Sequence, residues 1–449
     1  MRRKNKNFIL PMILGVTFWG WVLVNKFVTL LFSFNTFVVR KLKMNKKQII
    51  VIGGGAAGFF GAISAAENNL NAKVILLEKN RTVLNKVRIS GGGRCNVTHA
   101  CFDNKQLAKF YPRGGAFLRP LFNQFNVQNT VQWFENQGIE LKKELDGRMF
   151  PITDNSETIA QCLEQKAKKL GVAVMTSFGV SKIVFEDNKI TGLELQSGEI
   201  LPADSVLVTT GGNPNITGYQ WLRDTGHTIV PPVPSLFTFN VPTSNFLDLA
   251  GVSVQKASVK VAGKKLIQDG ALLVTHWGFS APAVLKLSAW GARELADLMY
   301  DFTAIINWIP DVSENKIKLT FEEIKKTNPK KLIQSNQQFE LPSRLWKRFC
   351  ELSEIDENLR WIDLTVKHSN KMIENLMNSS QKVQGKTTFK EEFVTCGGIE
   401  LSEINSETLE SKLIKGLFFA GEVLDIDAVT GGYNFQSAWT TGFVAGRNM

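Results

Sequence analysis

The chain has 449 residues, 44% hydrophobic and 21% charged, which excludes a disordered protein and leaves room for a large core divided into two or three structural units. Its formal charge of +12 resembles a nucleic-acid signature until it is located: residues 1–43 hold eight Lys or Arg and no Asp or Glu, and over the rest 45 basic residues face 41 acidic ones, an ordinary surface balance of +4. Five cysteines (Cys95, Cys101, Cys162, Cys350, Cys396) form no CxxC pair and no metal-ligand spacing, so no metal is expected and buried thiols in a reducing compartment are.

The leader, residues 1–43, carries the uncharged run FILPMILGVTFWGWVLV from Phe8 to Val24. At 17 residues it is at the short limit for a spanning helix. No small-residue cleavage site follows it, and basic residues flank both ends of the apolar region, so charge sets no orientation. The expectation is a functional start at Met44 and a cytoplasmic protein. A membrane anchor through residues 8–24 and an export signal are the alternatives.

From Gln48 a short apolar strand runs into Gly53, Gly55 and Gly58 in GxGxxG spacing. An Ala-rich helix follows, and a second strand ends in Glu78, 20 residues after Gly58. That context is the one a dinucleotide-binding turn requires, with Ala56 and Ala57 opening the helix whose NH groups face a pyrophosphate. Glu78 then accepts from ribose hydroxyls, which favours FAD or NAD over a 2'-phosphorylated dinucleotide. The segment DSVLVTTGG predicts another strand ending beside the cofactor at Thr210 and Gly211. Near the C-terminus, GLFFAGEVLDIDAVTGGYNFQ predicts a strand, an acid suited to ribityl hydroxyls (Gly421, Glu422), and a glycine turn opening a helix at Gly432. Tyr433 and Asn434 are then expected at the pyrimidine end of a flavin. A domain binding only NAD has no need of this return, so FAD is the expected cofactor.

SGGGRCNVTHA (90–100), GRMFP (147–151), PPVPSLFTF (231–239), THWGFSAPAVLKLS (275–288) and VTCGGIELSEINSETLESK (394–412), taken with the C-terminal motif, resemble the BaiN/YhiN-type flavoproteins, FAD-dependent oxidoreductases also labelled as an aminoacetone-oxidase family. The resemblance runs in order from about Gln48 to Arg447 and leaves the leader outside. It implies an α/β fold: a Rossmann-like FAD-binding domain, split in sequence into 44–235 and 392–449, with an inserted β-rich domain (236–319) and a small helical part (320–391). The short β-branched runs after 236 and the helical spacing of the lysine-rich stretch agree with this. Two departures stand out. Ser280-Ala281-Pro282 replaces the family's Ser-Gly-Pro, an added methyl expected to matter little, and the loop after Gly212 is abbreviated.

Flavin chemistry asks the protein for orientation, charge and a proton donor or acceptor. Gly92 and Gly93 let backbone approach the cofactor. Arg94 is expected to contact cofactor or substrate, with a structural ion pair as the alternative. Lys79, Lys86 and Asn96 complete the candidate cofactor set. His276, at a turn, is the first candidate acid or base, His99 the second, and His227 and His368 read as structural. Arg148 is a candidate anion or ring contact, Trp277 a candidate wall, and Cys95 lacks the partner a redox thiol needs. No second GxGxxG follows a strand, so NAD(P)H is expected, if used, to bind transiently. The expected activity is reduction of an activated bond in a small organic substrate with NAD(P)H as donor. An oxidase or dehydrogenase of an amine or hydroxyl carbon and a non-catalytic redox-sensing flavoprotein are the alternatives. No nucleic-acid partner is expected, and a membrane only if the leader is translated.

Overall fold

The computed structural model describes residues 46–387 and 394–449, so the anchor expected at residues 8–24 lies outside the described residues. Among the described residues no helix is long and apolar enough to cross a membrane. None of their His, Cys, Asp and Glu side chains are grouped to hold a metal ion.

The first half of the chain supplies β1 (Gln48–Ile52), α1 (Ala56–Asn68), β2 (Lys73–Glu78) and α2 (Asn85–Gly93), a helix broken at Ser90–Gly92. Then come β3 (Thr98–His99), α3 (Gly115–Phe122), β4 (Arg148–Pro151), α4 (Ser156–Lys169), β5 (Ala173–Thr176) and β6 (Ser205–Val208). β7 (Ile229–Ser235) leads away into an insert, and β15 (Val394–Ile399) leads back from it. β16 (Leu417–Phe419) and α10 (Tyr433–Arg447) close the chain. Five of these strands form a parallel sheet in the order β16–β6–β1–β2–β5. β1 and β6 are buried at every position, the continuous apolar pattern of strands covered on both faces.

The chain crosses to the insert and back through one antiparallel pair, in which Val233 of β7 faces Cys396 of β15 and Ser235 faces Val394. The insert is a seven-stranded antiparallel sheet of β8 (Thr238–Asn240), β9 (Ser253–Val261), β10 (Ile267–Thr275), β11 (Gly278–Ser280), β12 (Asp301–Asn307), β13 (Ser379–Gln384) and β14 (Lys386–Thr387). Its order is β13–β12–β9–β10–β11–β8–β14. Helices α5 (Pro282–Trp290), α6 (Ala292–Asp297), α7 (Glu314–Thr327), α8 (Ser343–Leu352) and α9 (Val366–Met377) pack on it. The two sheets own separate cores, one around Ile50, Phe60 and Trp439, the other around Phe239, Trp308 and Trp346.

The helical part does not run from 320 to 391. It starts at Glu314, because the Ser313 hydroxyl accepts from the Lys316 backbone N–H at 3.3 Å and caps the helix. It stops before Ser379, where burial alternates residue by residue and the chain rejoins the sheet. Within α7, Ile317, Phe321 and Ile324 are buried while most of the lysines face outward.

The alanine at 281 matters more than one methyl suggests. It stands at φ 79°, ψ 177°, a region that only glycine occupies without strain, directly before Pro282 opens α5. The strain of such a residue is about 1–3 kcal/mol, and glycine gives back part of that through its freer unfolded chain. Ala281→Gly should therefore stabilise the protein by about 1 kcal/mol. An unchanged or lower denaturant midpoint would show that residue 281 bears no such strain.

Candidate functional site

The loops at the carboxyl ends of β1, β2, β6 and β16 converge, the place where open parallel sheets bind ligands. Gly53 stands at φ 110°, and a Cβ there would lie 2.5 Å from the Thr209 carbonyl oxygen. A Cβ on Gly58 would overlap the Gly53 carbonyl oxygen, whereas one on Gly55 would meet nothing within 4 Å. So Gly53 and Gly58 pack the turn, and Gly55 keeps open the space in front of α1. That helix has no side-chain cap and no acid in its first turn, so the N–H groups of Ala56, Ala57 and Gly58 face an anion site unopposed. The donors and the open space fit the pyrophosphate of FAD.

Glu78 ends β2 at the edge of this space. Its Oε2 accepts from the Gly54 N–H at 2.8 Å, and its Oε1 accepts from the N–H and side chain of Asn80 at 2.8 and 2.7 Å. A carboxylate has about four lone-pair sites. Three are used, leaving capacity for one ribose hydroxyl rather than two. Lys79 is exposed beyond the strand, as is Thr210 beyond β6, and Gly211 (φ 73°) has open space where a Cβ would stand.

The C-terminal return closes the other side. Gly421 (φ 75°) donates its N–H to Thr441 Oγ1 at 2.9 Å and lies so close to α1 that a Cβ would be 2.8 Å from Ala57 Cβ. Glu422 Oε1 accepts from the Thr395 N–H at 2.8 Å, and its Oε2 pairs with Lys86 Nζ at 2.9 Å, which gathers α2, β15 and β16. At the amino end of α10, Gly432 (φ 93°) admits the turn. The Asn96 amide, turned so that its oxygen faces Gly432, accepts from that N–H at 2.9 Å and donates to the Thr98 carbonyl at 3.0 Å. Asn434 is used locally: it accepts from the Ala428 N–H at 2.9 Å and donates to the Ala428 carbonyl at 3.2 Å. Tyr433 is buried, its ring 4.5 Å from Phe110 and 4.7 Å from His99. The side chains of Tyr433 and Asn434 therefore brace the turn, and the backbone of the helix start is what remains to meet a ligand.

The other candidates fall in three places. Arg94 donates to Glu144 at 2.7 Å and Asp154 at 3.5 Å and lies 4.0 Å above the Phe150 ring, so its cation is engaged in the ion-pair alternative. Arg148 is held by the same acidic hairpin, through Asp146 at 2.7 Å and Glu144 at 3.1 Å. Gly92 and Gly93, at φ 69° and 83°, are exposed with open space beside them. His99 Nδ1 lies 3.2 Å from the Gly431 carbonyl oxygen, and burial lowers its pKa, so the imidazole is neutral near pH 7. His276 is exposed in the tight turn joining β10 to β11, and Trp277 beside it donates from Nε1 to Thr238 Oγ1 at 3.2 Å. His227 is buried between Thr225 (2.7 Å) and Ser411 (2.8 Å), a structural arrangement. Burial pushes the Cys95 thiol up to about 12, which makes it a poor nucleophile.

Two features escaped the sequence. One is the buried pair of Arg113 and Asp427, 314 positions apart. The other is the contact of α10 with α1, where a Cβ on Gly442 would come 2.6 Å from the Ala57 carbonyl oxygen and one on Gly446 would overlap that of Gly61. The GxxxG spacing of residues 442–446 was the available signal.

A parallel sheet whose glycine cradle is closed by an acid and a glycine turn from the far end of the chain defines an FAD-dependent oxidoreductase. The chain belongs to the HI0933-like protein family, whose Rossmann-domain model matches residues 47–448. It is 27% identical over 412 residues to the 3-dehydro-bile acid delta(4,6)-reductase of Clostridium scindens, covering 89% of this chain and 98% of that one. It is 28% identical over 424 residues to the ribosomal RNA dihydrouridine synthase of Escherichia coli, covering 90% and 98%. The enzyme so named in Haemophilus influenzae is 27% identical over 405 residues, with 88% and 96% covered.

The roles of the glycines can be separated. Gly55→Val should fold with stability within about 0.5 kcal/mol of the parent yet purify without flavin, because its side chain fills open space at α1. Gly58→Val should lose stability as well, since its side chain overlaps backbone. Melting curves and flavin content of the two proteins check this, and flavin retained at full occupancy in Gly55→Val would place the cofactor elsewhere.

Proposed function

We propose that this protein is a reductase that saturates a carbon–carbon double bond activated by a neighbouring carbonyl, using FAD recharged by NAD(P)H. The observation that carries this reading is the agreement between the chemistry in the relatives' names and the full-length match to them. A dienone reductase and a dihydrouridine synthase both add two hydrogens across a conjugated C=C bond, and each is covered over 98% of its length. Flavin when bound supplies the hydride.

The remaining work falls to the protein. The N–H groups of Ala56, Ala57 and Gly58 would hold the pyrophosphate, Glu78 one ribose hydroxyl, and Glu422 the ribityl chain, while the amino end of α10 beyond Gly432 would offer N–H groups to the pyrimidine edge. Lys86, paired with Glu422, would aim its carboxylate. His276, exposed in its turn, is the proposed proton donor, and neutral His99 is the second choice. Arg94 in this reading braces the turn after Gly93 and does not act on the substrate. A small organic substrate and a cytoplasmic setting are proposed from the near-balanced charge of residues 44–449 and the free cysteines of the described chain.

The test is anaerobic. Protein made from Met44 and loaded with FAD is mixed with NADH or NADPH while the flavin band near 450 nm is followed, a wavelength set by the cofactor; a panel of conjugated enones is then added. Bleaching by a nicotinamide followed by recovery of colour with an enone is the expected result. A flavin that stays oxidised with both nicotinamides would instead support an oxidase or dehydrogenase, and candidate amines and alcohols would be tried.

A further inference from the structure

Beyond the cradle, one side chain joins more separate parts of the fold than any residue expected at the site. Arg113 donates from Nε to Asp427 Oδ1 at 2.5 Å, and its Nη2 pairs with Asp427 Oδ2. Its Nη1 donates to the Ala289 carbonyl at 2.6 Å and the Trp290 carbonyl at 3.5 Å, at the carboxyl end of α5, and Nη2 reaches Ser235 Oγ at 3.5 Å. Ser235 Oγ also donates to Asp427 Oδ2 at 2.6 Å. Asp427 has no exposed side-chain surface, and Arg113 only 11%. One guanidinium therefore ties the first part of the chain to the crossing strand β7, to the insert and to the C-terminal loop.

Stability alone does not call for this arrangement. Desolvating two charges costs about what their attraction returns, so an apolar pair would hold the junction as well. What the fork of a guanidinium adds is direction, since five fixed donors can satisfy a carboxylate and two helix-end carbonyls in only one orientation. The next residue after Asp427 is Ala428, whose N–H and carbonyl are both gripped by Asn434 in the first turn of α10. Two residues before Asp427, Asp425 accepts with both carboxylate oxygens from one nitrogen, Nη2, of Arg293 in α6, at 2.9 and 2.7 Å. The insert thus reaches the loop that carries the amino end of α10 directly through Arg293, and indirectly through Arg113, whose Nη1 its Ala289 and Trp290 carbonyls hold.

We infer that Arg113 is a positioning residue: through Asp427 and the Ala428–Asn434 clamp it fixes the amino end of α10 against the flavin pyrimidine edge and ties that position to the seat of the insert. This rests on the FAD site proposed above. A displaced helix end offers less positive potential to a reduced, anionic flavin, so loosening it should make the bound flavin harder to reduce.

The experiment compares the FAD-loaded wild type with Arg113→Lys, Arg113→Met and Asp427→Asn, and with Lys382→Met as a control that breaks an exposed ion pair of the insert sheet. Thermal midpoint, flavin reduction potential and iodide quenching of flavin fluorescence are measured. Expected is an about tenfold loss in preference for reduced over oxidised flavin, which is about 30 mV for two electrons, with stronger quenching in the Arg113 and Asp427 variants and neither change in the control. Arg113→Lys should not restore the potential, because an ammonium lacks the fork. Arg113→Lys and Asp427→Asn decide the matter if Arg113→Met does not fold. Variants with lowered thermal midpoints but wild-type potential and quenching would overturn the inference. A wild type that binds no FAD would fail at the earlier step, removing the site and the inference together.

Discussion

The structure depends on the close approach of α10 to α1. Their first residues, Ala56 and Tyr433, lie 377 positions apart along the chain, and the meeting of the two helices turns two glycine-rich turns into one cradle. Glycine at 442 and 446 removes the side chains that would hold the backbones apart, Gly421 does the same against Ala57, and Gly61 makes room for Leu207 of β6. With that approach made, the N–H groups of α1 and those at the start of α10 are placed where they would serve the one elongated ligand proposed, FAD. Without it, the acid of Glu422 and the GxGxxG turn are separate features.

A second constraint comes from the insert. It is joined to the parallel sheet by one antiparallel strand pair, which by itself permits rotation, and the structure adds directional contacts across the junction through Arg113, Ser235, Asp427, Arg293 and Asp425. These contacts act on the loop that leads into α10, not on a remote surface. The insert and the C-terminal side of the cradle are thereby held as one arrangement, which suits an enzyme that must present a substrate to one fixed edge of its cofactor.

What was legible in the sequence was local. Gly53, Gly55 and Gly58 follow a strand and open a helix, and Glu78 ends the next strand, so the turn can be recognised from spacing. The Gly421–Glu422 and Gly431–Gly432 pairs were legible for the same reason. Arg94 was not, because its partners Glu144 and Asp154 lie 50 and 60 residues away and only folding shows that its charge is spent on them. Arg113 and Asp427 looked like any loop arginine and loop aspartate. The cost of Ala281 was hidden because composition does not report φ, and the ends of the helical part were misplaced because a serine cap and a six-residue alternation outweigh lysine content. Spacing reports turns and periodic faces, and it is silent on partners brought together from a distance.

The most direct measurement of the central claim is a crystal structure of the FAD-bound protein made from Met44. The account predicts the pyrophosphate against the N–H groups of Ala56 to Gly58, the ribityl chain at Glu422, and the pyrimidine edge at the amino end of α10 beyond Gly432. Flavin bound away from α1, or its ring edge met by other donors than the start of α10, would contradict it.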